Sequence, residues 1–122
     1  MPHCIIEYSE ALTQELEIKD VMSAVFEGAV QSALFSSTDI KVRAIPFTYF
    51  YSRNDSDNDH NQLRFIHVCC KILSGRNLEQ RQKLSELVLS HLKSFAIESV
   101  SISVEIVDME RESYNKRVIP SC

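Results

Sequence analysis

Glycine and proline are scarce in this chain: it carries two of the first and three of the second in 122 residues. With so few turn-forming residues, mostly regular structure is expected. No apolar run approaches the ~20 residues that a bilayer-spanning helix needs, so no membrane association is expected. A signal peptide is not expected either, because Glu7 and Glu10 interrupt the opening segment and no basic stretch precedes it. The CxxC spacing is missing; Cys4, Cys69, Cys70 and Cys122, two of them adjacent, offer no disulfide framework. These absences point to a cytoplasmic protein. There is no Gly-rich phosphate loop and no nucleophile elbow. An excess of positive charge is lacking too. With 13 basic and 17 acidic side chains, net charge -4, the balance argues against a general nucleic-acid binder, while a local cationic pocket is compatible.

What is present is enough for one domain, 1–122, with a real core: 44% of residues are hydrophobic and 25% charged. Ile5 and Ile6 tie the opening residues into a strand. Segment 9–17 is polar with little periodicity and reads as a turn or a poorly formed first helical turn. From Ile18 the series Val21, Met22, Val25, Phe26, Ala29, Val30, Ala33 and Leu34 follows helical spacing and predicts an amphipathic helix over 18–35. Segment 40–51 is rich in β-branched and aromatic residues and reads as a strand, with Pro46 marking an edge or bulge. After the polar loop 52–61 the order recurs. A strand is predicted over 62–73, a helix over 77–97 opened by an Asn77/Gln80 capping box, and a strand over 100–109.

Two tandem β-α-β units, about 1–51 and 62–110, followed by an aperiodic tail 111–122, define an α+β fold: a four-stranded mixed sheet with two helices on one face. Strands within a unit pair in parallel through right-handed crossovers. A pseudo-twofold axis between the units sets the two leading strands antiparallel and brings Pro2 toward the turn 74–76. The sheet face without helices is expected to be apolar and to seek a partner.

The second residue carries the chemical interest. Met1 is normally removed ahead of a small residue such as Pro2, which leaves a secondary amine. Burial in an apolar pocket disfavours the charged form, so such an amine is a free base near neutrality. Met-Pro by itself is weak evidence. Arg76 strengthens it: behind Gly75 and at the start of a helix, its guanidinium can grip a carboxylate in a fork. Lys41 and Arg43 share one face of the second strand and offer further cations.

Three passages carry a family resemblance: Pro2-His3-Cys4-Ile5-Ile6-Glu7; the strand, turn and helix text from His67 through Gly75-Arg76-Asn77 to Gln82; and Ser103-Val104-Glu105-Ile106. Together they resemble the 5-carboxymethyl-2-hydroxymuconate isomerases of the tautomerase superfamily, in register from Pro2 to about Met109. The resemblance implies a homotrimer acting in aromatic-compound catabolism, with no cofactor and Pro2 as general acid/base. The substrate it implies is a small carboxylated dienol. It places Arg76 on a substrate carboxylate and matches Ile40-Lys41-Val42-Arg43 to an Ile-Arg-x-Arg element, with Lys41 and Arg43 as substrate contacts. Lys41 stands where the family has arginine, and an ammonium forms no bidentate fork. The alternative function is a non-catalytic trimer that keeps the scaffold for ligand or protein binding; dehalogenation or hydration of a small unsaturated acid is a third.

Other patterns are weaker. Asp55, Asp57 and Asp59 mimic the opening of an EF-hand loop, but His60 takes the glycine position and Ile66 that of the closing glutamate, so no metal is expected. His67 beside Cys69 and Cys70 suggests a thiol nucleophile, yet core packing of both cysteines is the expectation. Tyr49, Phe50 and Tyr51 suit either the wall of an apolar pocket or an interface, and an interface is the expectation.

Overall fold

In the computed structural model, which describes residues 1–53, 63–95 and 97–121, burial alternates along the opening strand. Cys4, Ile6 and Tyr8 are buried while His3, Ile5 and Glu7 are half-exposed, the period of two that a strand covered on one face requires. Strand β1 is His3–Ser9, β2 Lys41–Phe47, β3 Arg64–Leu73 and β4 Val100–Met109; helix α1 is Ile18–Gln31 and α2 Leu78–Leu92. The sheet order is β2-β1-β3-β4. β1 runs parallel to β2 and β3 parallel to β4, whereas β1 and β3 are antiparallel with Ile6 opposite Val68. This is the paired β-α-β topology read from the sequence.

Both helices lie on the face that carries Cys4, Ile6, Val68, Cys70 and Ile72, and they bury Val21, Val25, Ala29, Leu84, Val88 and Leu92 against it. The helices pack closely at Gly28, where a Cβ would stand 2.9 Å from the Val88 Cα. Only glycine permits that separation.

The element ends differ from the sequence reading for local reasons. Helix α1 stops at Gln31 rather than near Phe35, because Ser32 Oγ turns back to the Ala29 carbonyl at 2.6 Å and Ala33 adopts φ +59°. Helix α2 ends at Leu92 rather than near 97, where Ser94 Oγ donates to the His91 carbonyl at 2.8 Å. Its start carries the capping box, with Gln80 N–H donating to Asn77 Oδ1 at 2.8 Å and Asn77 N–H to Gln80 Oε1 at 2.9 Å. Segment 9–17 holds a short 3₁₀ turn, Glu10–Gln14, whose Leu12 is fully buried. Strand β2 is shorter than predicted, and Pro46 sits on it at the edge of the sheet, where a missing N–H is tolerated. Gln62 and the Asp55, Asp57, Asp59 pattern lie outside the described residues.

Two expectations are corrected. The open face of the sheet is largely polar rather than apolar: one row across it reads Lys41, His3, Lys71, Val107 and the next Arg43, Ile5, Cys69, Glu105. Cys70 is buried in the core, but its neighbour Cys69 points to the open face and is half-exposed, as strict alternation demands. Tyr49 and Tyr51 are exposed, while the Phe50 ring meets Phe65 edge-on at 5.1 Å.

Candidate active site

Pro2 is fully buried and continues the inward alternation of Cys4 and Ile6. The Lys41 N–H donates to the Pro2 carbonyl at 3.1 Å, which fixes the terminus to the edge strand. With Met1 in place the Pro2 nitrogen is an amide, and the free amine is that of Met1. Burial is the main cause holding this amine below its ordinary 8.0; the Asp39 carboxylate opposes the shift, and Arg76, Lys116 and Arg111 reinforce it. One carboxylate and three cations therefore surround the start of the chain.

Arg76 reaches this place from the turn between β3 and α2. Ser74 N–H donates to the Met109 carbonyl at 2.9 Å, Gly75 takes φ +126°, and Asn77 caps the helix that follows. The half-buried guanidinium donates through Nη2 to the Leu34 carbonyl at 2.8 Å and lies 5.3 Å from the centroid of the Phe35 ring. The remaining N–H groups of its fork are the ones suited to a carboxylate.

Arg43 and Lys41 stand apart from this pair within one chain. Both project from the open face and gather about His3, with Arg43 Nη1 3.5 Å from His3 Nδ1. His3 is held below its ordinary 6.5, first by burial and then by Arg43 and Lys41. The sequence reading missed four residues beside the terminus: Asp39, Arg111, Tyr114 and Lys116. Arg111 donates through Nε and Nη2 to the Ser74 carbonyl at 3.1 and 2.9 Å. Tyr114 OH lies 3.0 Å from His3 Nε2, and Lys116 Nζ lies 3.2 Å from Asp39 Oδ1. Arg111, Tyr114 and Lys116 are isolated side-chain anchors in an aperiodic tail and Asp39 stands in the short turn ahead of β2, so periodicity carried no signal for any of them.

A cleft of about 860 Å³ opens at the opposite end of the sheet, lined by Glu10, Glu15, Phe47, Phe50, Arg64 and Glu98 among others. It is the second half's counterpart of the Pro2 end, but β3 begins there inside the polypeptide and offers no amine. Arg64 pairs with Glu15 and donates to the Glu98 carbonyl; Thr48 donates to Glu10. Thiol chemistry at Cys69 and Cys70 is also disfavoured. A hydrogen bond with Cys4 and burial push the Cys70 thiol up, and burial with the Glu105 charge pushes up that of Cys69. His67 is engaged by Ser103 Oγ at 2.6 Å and Glu105 Oε2 at 2.5 Å. Among the described residues no group of three or more His, Cys, Asp or Glu side chains is placed to hold a metal ion, and no helix is long and apolar enough to cross a membrane.

A four-stranded mixed sheet built from two β-α-β units, with a buried Pro2 at the head of an inner strand, defines the tautomerase class of fold. The family model of 5-carboxymethyl-2-hydroxymuconate isomerase matches residues 2–120, and the chain belongs to that family of isomerases. It is 26% identical over 94 residues to the 5-carboxymethyl-2-hydroxymuconate Delta-isomerase of Escherichia coli, covering 77% of this chain and 71% of that one. Among solved structures, a 5-carboxymethyl-2-hydroxymuconate delta-isomerase superposes with a TM-score of 0.81 at 18% identity, covering 97% of this chain and 88% of the other. A 5-carboxymethyl-2-hydroxymuconate isomerase from Deinococcus radiodurans R1 gives 0.77 at 20% identity, covering 95% and 88%.

Proposed function

We propose that the protein isomerises a carboxylated dienol of the 5-carboxymethyl-2-hydroxymuconate type without a cofactor, using Pro2, freed of Met1, as general acid/base. The observation that carries this reading is the setting of the terminal amine, which is partly desolvated and has Arg76, Lys116 and Arg111 about it against the single carboxylate of Asp39. The Pro2 ring is fully buried, and burial disfavours the charged form of an amine, so the nitrogen freed of Met1 is expected to shift in the same direction.

In this mechanism the nitrogen takes the proton of the enol hydroxyl and returns it to a carbon of the diene. One O–H bond breaks, one C–H bond forms, and the enol electrons become the ketone C=O with a shifted double bond. Arg76 holds a substrate carboxylate against the ring, converting proton transfer into a positioned step. Arg43 or Lys41 steadies the far end or the developing oxyanion. Both project from the open face of their own chain, so the reading includes a homotrimer that brings that face to a neighbouring subunit's Pro2. The polar character of the face agrees with lining a wet, charged junction rather than a greasy one.

The test pairs mass spectrometry of the native protein with ultraviolet spectra of 2-hydroxymuconate. Loss of Met1 with ketonisation supports the reading. Undiminished turnover by a chain that retains Met1 excludes Pro2 as the base. A Met1-free protein that binds enols without turning them over favours the non-catalytic scaffold.

A further inference from the structure

The tail after β4 crosses the end of the sheet where Pro2 lies, and three of its side chains tie it to three separate elements. Arg111 holds the Ser74 carbonyl in the turn before α2, Tyr114 meets His3 on β1, and Lys116 pairs with Asp39 just ahead of β2. The Lys116 ammonium is thereby held at the terminus. Its Nζ lies 3.0 Å from the Met1 Sδ and so reaches the volume that the Met1 side chain fills. Met1 is bonded to the Pro2 nitrogen. When Met1 leaves, the space it vacates in front of that nitrogen is bordered by the ammonium.

The Asp39 pairing does not lock this cation away. Side-chain exposure is 31% for Lys116 and 41% for Asp39, a solvent-accessible pair of the kind that exchanges partners at small cost. A ligand carboxylate entering the vacated space meets a cation already aimed at it, with Arg76 serving the same end of the chain. An ammonium is a point charge with three donors, suited to one carboxylate oxygen where the Arg76 fork takes two.

We propose that Lys116 is a substrate-contacting residue that takes the second carboxylate of a doubly carboxylated dienol whose first is gripped by Arg76, so that the tail selects dicarboxylates over monocarboxylates. This rests on the reading of the Pro2 end as the active site.

The test uses the full chain freed of Met1 and two unreactive six-carbon dienes, muconate with two carboxylates and sorbate with one, titrated by calorimetry. The wild-type chain is expected to prefer muconate. Lys116→Gln is expected to weaken muconate about tenfold, the scale of one charge-assisted contact, and to leave sorbate within about twofold. Asp39→Asn breaks the same ion pair yet keeps the ammonium, so muconate binding should hold or tighten. A merely structural pair predicts the opposite pattern, with both variants weakening both ligands alike, and that result overturns the proposal. So does a wild-type chain without preference for muconate, or a Lys116→Gln chain that retains it. Turnover of 2-hydroxymuconate separates the two readings: selective loss of muconate in Lys116→Gln from a chain that never turns over an enol upholds Lys116 and rejects Pro2 as base. Intact turnover with unchanged muconate binding in that variant does the reverse.

Discussion

His3 Nε2 and the Tyr114 hydroxyl lie 3.0 Å apart, joining the first strand to the tail across 111 positions of sequence. The rings also meet edge to face, with centroids 6.1 Å apart. This contact leaves the other imidazole nitrogen facing Arg43. A histidine so placed resists protonation, because the added charge would be partly buried beside cations.

The first prediction concerns that resistance. His3 is held below 6.5 in the folded chain, mainly by burial and then by Arg43 and Lys41, whereas the unfolded chain takes up the proton near 6.5. The unfolded state therefore binds more protons in the window below 6.5. Stability contributed by neutral His3 is complete above 6.5 and is lost as pH falls toward the folded-state value. Urea unfolding between pH 7.5 and 5 should show this loss, and His3→Gln should flatten it. Arg43→Ala should narrow the window, since one source of the depression is gone. An unchanged slope in His3→Gln would assign the acid sensitivity to other groups.

The second prediction concerns the terminal amine and Arg76. The shift of the Met1 amine is downward from 8.0, and the Pro2 amine is expected to move the same way. Since the base works only when neutral, kcat/KM should rise with pH on an acidic limb whose midpoint lies below the ordinary amine value. Arg76→Ala removes a cation that disfavours protonation, so the midpoint should move up. It also removes the carboxylate grip, and kcat/KM at the plateau should fall on the order of 100-fold. A pH-rate profile reads both. A plateau loss with no movement of the midpoint would confine Arg76 to substrate binding.

The third prediction tests the helix pair. At Gly28 an added Cβ would stand 2.9 Å from the Val88 Cα and 3.2 Å from the Leu87 carbonyl oxygen, both backbone atoms that cannot swing away. Helix propensity alone would favour alanine by roughly 1 kcal/mol. Overpacking against backbone should outweigh it, with a net loss of about 1–3 kcal/mol. Thermal unfolding of Gly28→Ala should show Tm lowered by several degrees, on the order of 4 °C per kcal/mol for a chain of this size. A raised Tm would mean that the helices shift apart at little cost.

Gly28 also marks how far the sequence could be read. The apolar spacing from Val21 to Ala29 announced the buried face of α1, and β4 was legible to its end residues, because alternation runs from Val100 to Ile106 and apolar residues continue to Met109. The antiparallel meeting of β1 with β3 followed from the repeat, and with it the approach of Pro2 to the turn at Arg76. Helix ends were less legible, since a single bond such as Ser32 Oγ to the Ala29 carbonyl decides them and leaves no periodic trace. The polarity of the open face was written in His3, Lys41, Arg43, Lys71 and Glu105, but only the register shows that they form adjoining rows. Asp39, Arg111, Tyr114 and Lys116 were illegible for the same reason: each meets a partner far along the chain, and nothing local marks it.

The last prediction returns to the turn that presents Arg76. Gly75 has φ +126°, a backbone conformation that side-chain-bearing residues rarely adopt. Space is not the obstacle, for a Cβ there would meet only Arg111 Nη2 at an ordinary 3.6 Å. Gly75→Ala should therefore cost about 1–3 kcal/mol through backbone strain. The chain can relieve that strain by reshaping the turn, but the Ser74 carbonyl is held by two Arg111 bonds and Asn77 is fixed by its cap, so Arg76 is the residue left to move. Kinetics should then suffer more than stability, with kcat/KM falling toward that of Arg76→Ala while Tm drops only a few degrees. Arg111→Gln in the Gly75→Ala background loosens one clamp and should recover part of the stability without recovering the rate. If Gly75→Ala lowers Tm and leaves kcat/KM intact, the turn is a structural corner and the position of Arg76 does not depend on it.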